Sequence, residues 1–190
     1  DFETSQVEGD TILYAKWAPY HNPTILTLEI PEGTDAARTV NITYSQYNID
    51  SDHKVTIDWG DGSLKSSSSV SNDLISLGHT YAQAGTYTVA ILGTGGGTNA
   101  WYRLGDSYAR ALVTPESYLV DIELAWDINT VADGAFRASN LKRTGLTEYM
   151  TNISVGCYAN CKELESIEIP ESVVIIGDQA FSACRNAKGT

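Results

Sequence analysis

Three histidines, three cysteines and one alternating run of an Asn and two Asp are the side chains whose types could do chemistry in this chain of 190 residues. His21, His53 and His79 lie in no HExxH pattern, so the helical zinc site with its general base is not encoded. Neither a GxSxG elbow nor a glycine-rich phosphate loop ahead of a helix occurs. Ser, His and Asp are present but unlinked by spacing, which defines no nucleophilic triad. His79 reads as a residue that holds strands together. Asn48, Asp50 and Asp52 alternate as the first ligands of a calcium loop do, but His53 replaces the turn-making Gly and Trp59 the closing bidentate Glu. The stretch is read as a solvated turn, for which Asn and Asp supply local hydrogen bonds. Cys157 and Cys161 have no Cys or His pair at zinc spacing. Asn41-Ile42-Thr43 and Asn152-Ile153-Ser154 fit the glycosylation triplet, but both fall in strand-like stretches and are set aside. These residues predict no catalytic centre, no cofactor and no metal.

What positions them is easier to read. Leu119, Leu141 and Leu164 head segments 22 and 23 residues apart. Inside each, an apolar ruler recurs: Leu124, Leu146 and Ile169, then Val131, Ile153 and Ile176, then Phe136, Tyr158 and Phe181. A period of roughly 20–29 residues with leucine-like positions marks a solenoid whose coils bury their rulers only by stacking. Cys161 and Cys184 occupy equivalent positions and are expected as small buried apolar groups. A disulfide between them is the less favoured reading, since parallel side-chain vectors on stacked coils strain it. Ala187 falls where a fourth coil would begin, which predicts truncation from a longer solenoid.

Upstream, period-two alternation in Leu26, Leu28, Ile30, in Val40, Ile42, Tyr44, in Val55, Ile57, Trp59 and in Tyr87, Val89, Ile91 predicts half-buried strands. Turn signals separate them: Pro31-Glu32-Gly33, Gly60-Asp61-Gly62, the serines Ser66 to Ser69, and Ala84-Gly85. Several short strands at this spacing predict a β-sandwich. The glycine run Gly93 to Thr98 is placed as its boundary, and aromatic, irregular Trp101 to Tyr118 as a cap over the first coil that locks the two modules together.

With 24 acidic against 12 basic residues the net charge is −12, which argues against nucleic acid and against an anionic membrane surface. No apolar stretch approaches the roughly 20 residues that span a bilayer. Asp1 to Lys16 lacks the basic start and apolar core of a signal peptide, so the chain is expected to be an internal piece or to have lost its signal.

Asp58-Trp59-Gly60-Asp61-Gly62, followed by His79-Thr80-Tyr81-Ala82 and Ala84-Gly85-Thr86-Tyr87-Thr88-Val89, resembles the PKD family of immunoglobulin-like sandwiches, with Trp59 where Phe is usual. Leu164 to Val173, continuing through Ile176 to Cys184, looks like the BspA-like leucine-rich repeats of bacterial surface proteins. The second coil departs from that pattern at Thr144, Thr147 and Cys157-Tyr158, and the first carries Ala125 at the proline position. Gly9 to Trp17 is similar to the closing strand of the B-repeats of internalins. The expected fold is mainly β, an immunoglobulin-like (PKD-like) sandwich followed by a short leucine-rich-repeat solenoid. Its expected parts are a truncated B-repeat strand at 1–18, the sandwich at 19–96, a linker and cap at 97–118, and about three coils at 119–190.

Alternation turns Val120, Asp121 and Glu123, then Lys142, Arg143 and Gly145, then Glu165, Ser166 and Glu168 outward, with Glu123, Gly145 and Glu168 in line as an acidic rim around a gap. Asp121, Glu123, Lys142, Arg143, Glu165 and Glu168 are the candidate partner-binding residues, beside the alternative of a plain solvated face. The resemblances imply a non-catalytic fragment of a secreted or cell-surface bacterial protein that adheres to a host extracellular protein, a glycan or other cells. The alternative is a glycan-binding accessory or stalk region of a secreted polysaccharide-degrading enzyme. That reading requires Trp101, Tyr102 or Trp126 on an open face, where sugar rings stack.

Overall fold

The computed structural model describes residues 23–47, 54–68, 74–94, 101–105, 111–125, 128 and 130–189. Gly9 to Trp17, His21, Asn48 to His53, Trp126 and most of the glycine run lie outside these residues. The fold is mainly β. Among the described residues there is no α-helix, only a 3-10 turn at Glu116–Tyr118, and no helix is long and apolar enough to cross a membrane.

β-branched and aromatic residues at every second position build the first strands. One antiparallel sheet takes β1 (Thr24–Ile30), β3 (Lys54–Asp58), β4 (Ser66–Ser68), β6 (Gly85–Thr94) and β9 (Leu119–Glu123), in the spatial order β4-β3-β6-β1-β9. The other takes β2 (Thr39–Tyr47), β5 (Leu74–Thr80) and β7 (Trp101–Leu104), in the order β5-β2-β7, with β8 (Val113–Thr114) also paired to β2. Leu26, Leu28, Ile30, Val55, Ile57, Val89 and Ile91 of the first sheet share one core with Val40, Ile42, Tyr44, Ile75 and Leu104 of the second. Each such side chain contributes roughly 1.5–3 kcal/mol when fully buried. Tyr87 is the exception among the expected core residues, being only half-buried with its ring stacked on Tyr81 at 4.0 Å.

The stretch read as linker and cap does two jobs. Through β7 and β8 it pairs with β2, from Tyr44↔Leu104 to Tyr47↔Trp101 and at Ile42↔Val113. Its backbone also covers the first coil, since Ala132 N–H donates to Leu104 C=O and Leu112 N–H to Ala135 C=O at 2.9 and 2.8 Å.

Beyond it the coils repeat a hydrogen-bond ladder. Gly134, Phe136 and Ala138 donate to Val155, Cys157 and Ala159, and Gly156, Tyr158 and Asn160 donate to Asp178, Ala180 and Ser182, all within 2.7–2.9 Å. Parallel pairs join β10 (Asn152–Ile153) to β12 (Ile175–Ile176) and β11 (Ser166–Ile167) to β13 (Lys188–Gly189). Each turn needs left-handed backbone at two places, Gly134, Gly156 and Gln179 and then Ala138, Asn160 and Ala183, with φ between 57° and 64°. The sequence spends glycine at only two of those six positions.

Phe136, Tyr158 and Phe181 form a ring column with centroids 5.2 and 5.4 Å apart. Beside it, Cys161 Sγ donates to Phe136 C=O and Cys184 Sγ to Tyr158 C=O, each at 3.0 Å. All three thiols are free, Cys157 and Cys161 buried and Cys184 half-buried. Burial pushes the Cys161 thiol up to about 11. The ruler holds for Leu119, Leu141, Leu164, Val131 and Ile153, which are buried, but Ile169 and Ile176 are exposed. A coil is covered by its neighbours, and among the described residues the third has only the two-residue strand β13 paired beyond it.

Candidate functional site

Two constellations gather the residues singled out above. In the first, His79 Nε2–H donates to Asp61 Oδ2 at 2.7 Å. Its ring stacks on Trp59 at 4.8 Å and meets Tyr81 edge-on at 4.6 Å. Trp59 Nε1–H donates to Ser66 Oγ at 2.8 Å, and Tyr81 O–H donates to Trp59 C=O at 3.0 Å. Asp58 and Asp61 accept from Gly60 N–H and Ser63 N–H, which closes the turn. Every polar atom named here bonds another part of the motif, so the arrangement fastens strands β3, β4 and β5. Among the described residues no three His, Cys, Asp or Glu side chains are grouped to hold a metal ion.

The Asp61 carboxyl sits below its usual value of 3.8: partial burial pushes it up, but hydrogen bonds from Ser63 and His79 outweigh that. Asp121 is also held low, chiefly by the Arg143 guanidinium. A carboxyl depressed in the folded state contributes stability above its unfolded value, and that contribution is lost as pH falls through the folded value. Chemical denaturation is expected to show stability falling as pH drops below 3.8, with a smaller fall in an Asp61→Asn, Asp121→Asn double variant. An unchanged acid slope in that variant would contradict this.

The second constellation is built on β9. One edge of β9 pairs antiparallel with β1, with Leu28↔Leu119, Thr27↔Asp121 and Ile25↔Glu123, and a bulge falls at Val120. The bulge sets Val120 and Asp121, two successive residues, away from the core that holds Leu119 and Ile122. The following coil stacks against β9, Asn140 N–H donating to Leu119 C=O at 3.0 Å. Gly145, with φ 62°, lies against Ile122, whose Cγ2 and carbonyl oxygen would stand 2.7 and 2.8 Å from a Cβ. The gap in the outward row is thus the place where Ile122 passes.

Arg143 binds Asp121 through two hydrogen bonds, Nε to Oδ1 at 2.8 Å and Nη2 to Oδ2 at 2.9 Å, and reaches Glu123 at 3.4 Å. Asp121, Glu123 and Arg143 are therefore one partnered cluster. Lys142, Glu165 and Lys188 of successive coils are linked through the backbone, Glu165 N–H donating to Lys142 C=O at 2.9 Å and Lys188 N–H to Glu165 C=O at 3.1 Å, in a register that pairs Lys188 with Ser166. With Glu29 of β1, Val120, Asp121, Asn140, Arg143, Glu163, Ser166 and Asn186 they line an open groove of about 1070 Å³. Glu168 is exposed outside that groove, where its carbonyl accepts from Thr144 Oγ1 at 3.4 Å.

The groove contains four of the six expected residues, Asp121, Lys142, Arg143 and Glu165, with Glu123 attached through Arg143. Lys188 extends the column one place after each ruler leucine, and Asn140, Glu163 and Asn186 form the column one place before it, so the repeat itself carried their signal. Glu29 had none, because only the β1–β9 pairing brings it there. Trp101 and Tyr102 belong to β7, their backbones paired with Tyr47 and Gln46.

Residues 115–189 match the family model described as BspA type leucine rich repeat region (6 copies). This part of the chain is thereby similar to the leucine-rich repeats of that type, and the match begins within the segment that covers the first coil. No curated protein and no solved structure matches the chain.

Proposed function

We propose that this chain is a non-catalytic part of a bacterial cell-surface or secreted protein, in which a PKD-like sandwich acts as spacer and a BspA-like repeat solenoid presents a binding surface for adhesion to host proteins or other cells. The match of residues 115–189 to the repeat family carries the reading. Stacked coils suit it physically: they place side chains of successive repeats in columns on one broad, open face, and a coil carries no enclosed site of its own. The closed network around His79 and Asp61 is in keeping with a spacer, since its hydrogen bonds and ring contacts join three strands. A net charge of −12 favours a partner with basic surface, because complementary potential steers encounter.

Solid-phase binding of the chain to extracellular-matrix proteins and polysaccharides tests this. The expected result is saturable binding to a protein, weakened about tenfold by a Lys142→Glu, Glu165→Lys charge swap that leaves the fold intact. Glycan binding indifferent to the swap would favour an accessory region of a polysaccharide-degrading enzyme, and binding to nothing would favour a plain stalk.

A further inference from the structure

The layer beyond the third coil is only half made. On one side of the stack β13 pairs with β11. On the other, β12 bonds the second coil along one edge, Val174 N–H donating to Thr151 C=O at 2.9 Å and Gly177 N–H to Ile153 C=O at 2.8 Å. Among the described residues no strand pairs with its other edge. Backbone amides alternate in direction along a strand, so Ile175 N–H, next after that of Val174, faces the open edge. The side chains there are aliphatic, with Val174, Ile175 and Ile176 80%, 61% and 51% exposed. An uncharged, β-branched open edge is a template for pairing, and a contiguous exposed apolar patch marks a contact surface.

We infer that the chain's own Thr11-Ile12-Leu13-Tyr14 covers this edge, adding antiparallel to β12 as a strap across the end of the stack. Composition, reach and charge select this occupant. The segment is β-prone and carries no charge between Asp10 and Lys16. Its connection to the fold ends beside the coils, where Ala125 N–H donates to Thr24 Oγ1 at 3.1 Å. Ala125 opens the turn that Thr147 and Pro170 open in the next two coils, since Ile128, Met150 and Val173 N–H donate to these three carbonyls at 3.0–3.1 Å. A strand laid beyond the third coil therefore lies three steps from Ala125, about 14 Å at about 4.8 Å each. Ala18 to Pro23 are six residues and span up to about 20 Å. Setting Lys16 against exposed Glu171 aligns Leu13 with Val174 and Ile12 with Ile175, and brings Gly9, not an acidic residue, opposite Asp178. The same register leaves Trp17 beside Pro170, on the side of Thr24. Parallel addition would carry Trp17 past the far end of β12 and lengthen the connection by that strand's span. Once covered, the edge is closed to pairing with other chains. The inference is independent of the adhesion reading.

Hydrogen exchange at the Ile175 amide tests it, compared between the whole chain and Leu13→Asp, which sets a charge opposite Val174. Exchange is expected to be at least about tenfold faster in the variant, while the amides of Leu26 and Leu28 in β1 keep their rates and show the fold intact. Lys16→Glu should speed exchange at Ile175 about threefold, the scale of an exposed ion pair, and adding Glu171→Lys should restore it. Equal rates at Ile175 in the whole chain and in Leu13→Asp would overturn the inference. So would protection that fades on tenfold dilution, because a second copy would then be the occupant. Failure of Glu171→Lys to restore protection would overturn the antiparallel register.

Discussion

Replacing Tyr158 with alanine is expected to lower stability by about 4–5 kcal/mol, the largest loss from any single side chain in the coils. Its ring lies between Phe136 and Phe181 in the column, at 5.2 and 5.4 Å, and is fully buried. Its hydroxyl donates to the Thr144 carbonyl. Truncation would remove an aromatic side chain of a kind whose loss costs about 3–5 kcal/mol and would leave that carbonyl without its donor. Tyr158→Phe isolates the second effect and is expected to cost only about 1–2 kcal/mol. Urea denaturation of the two variants measures both. Near-equal losses would show that the hydroxyl, not the column, carries the coil.

Gly60→Ala should cost about 3–4 kcal/mol for a different reason. Gly60 has φ 76°, and a Cβ there would sit 2.1 Å from the Thr88 carbonyl oxygen and 3.0 Å from its carbon. Thr88 lies in the middle of β6, paired with Thr27, and cannot retreat without breaking the sheet. Gly62 provides the control, because it has φ 79° but open space around its Cβ position. Gly62→Ala therefore meets only the left-handed backbone penalty of roughly 1–2 kcal/mol. Thermal unfolding of the pair separates clash from conformational strain, and equal midpoints would remove the close approach to Thr88 from the account.

Much of this was legible in the residues. Leu26, Leu28, Ile30, Val40, Ile42, Tyr44, Val55, Ile57 and Trp59 were marked by alternation alone and all are buried, because the period of a strand is local information. The ring column was equally plain, since each coil repeats its own spacing. Pairing between distant segments was not. Thr27 meets Asp121 and Tyr47 meets Trp101, and no periodicity reports which strand adopts which neighbour. The aromatic stretch after the glycine run was read as irregular for that reason, although it supplies β7 and β8. The same blindness explains the groove. Its coil columns, including Lys188, follow from the repeat, whereas Glu29 depends on the pairing of β1 with β9. Ile169 and Ile176 fit the ruler yet stand exposed, since burial in a stack comes from the next coil and not from the pattern.

The β1–β9 pairing joins the sheets to the coils, together with the segment of β7 and β8, which pairs with β2 and bonds the first coil through Leu104 and Leu112. The β1–β9 contact covers an edge of the first sheet, which would otherwise be open to pairing, and it closes the first coil, which would otherwise expose its strand. Beside it, Tyr118 O–H donates to Ala37 C=O at 2.7 Å and Ala125 N–H to Thr24 Oγ1 at 3.1 Å, and from the other sheet Arg103 Nη2 of β7 donates to Val131 C=O at 3.0 Å. A binding face on the coils would then be held rigidly by the sheets beside it.

Native-state hydrogen exchange tests that claim most directly, comparing the amides of Leu26 and Leu28 in β1 with those of Phe136 and Tyr158 in the coils. The account predicts that both sets open with one free energy, and that Gly145→Val, placed against Ile122 at the junction, lowers both by the same amount. Coil amides that open at a lower free energy, with β1 untouched by the substitution, would mean two independent modules and would contradict it.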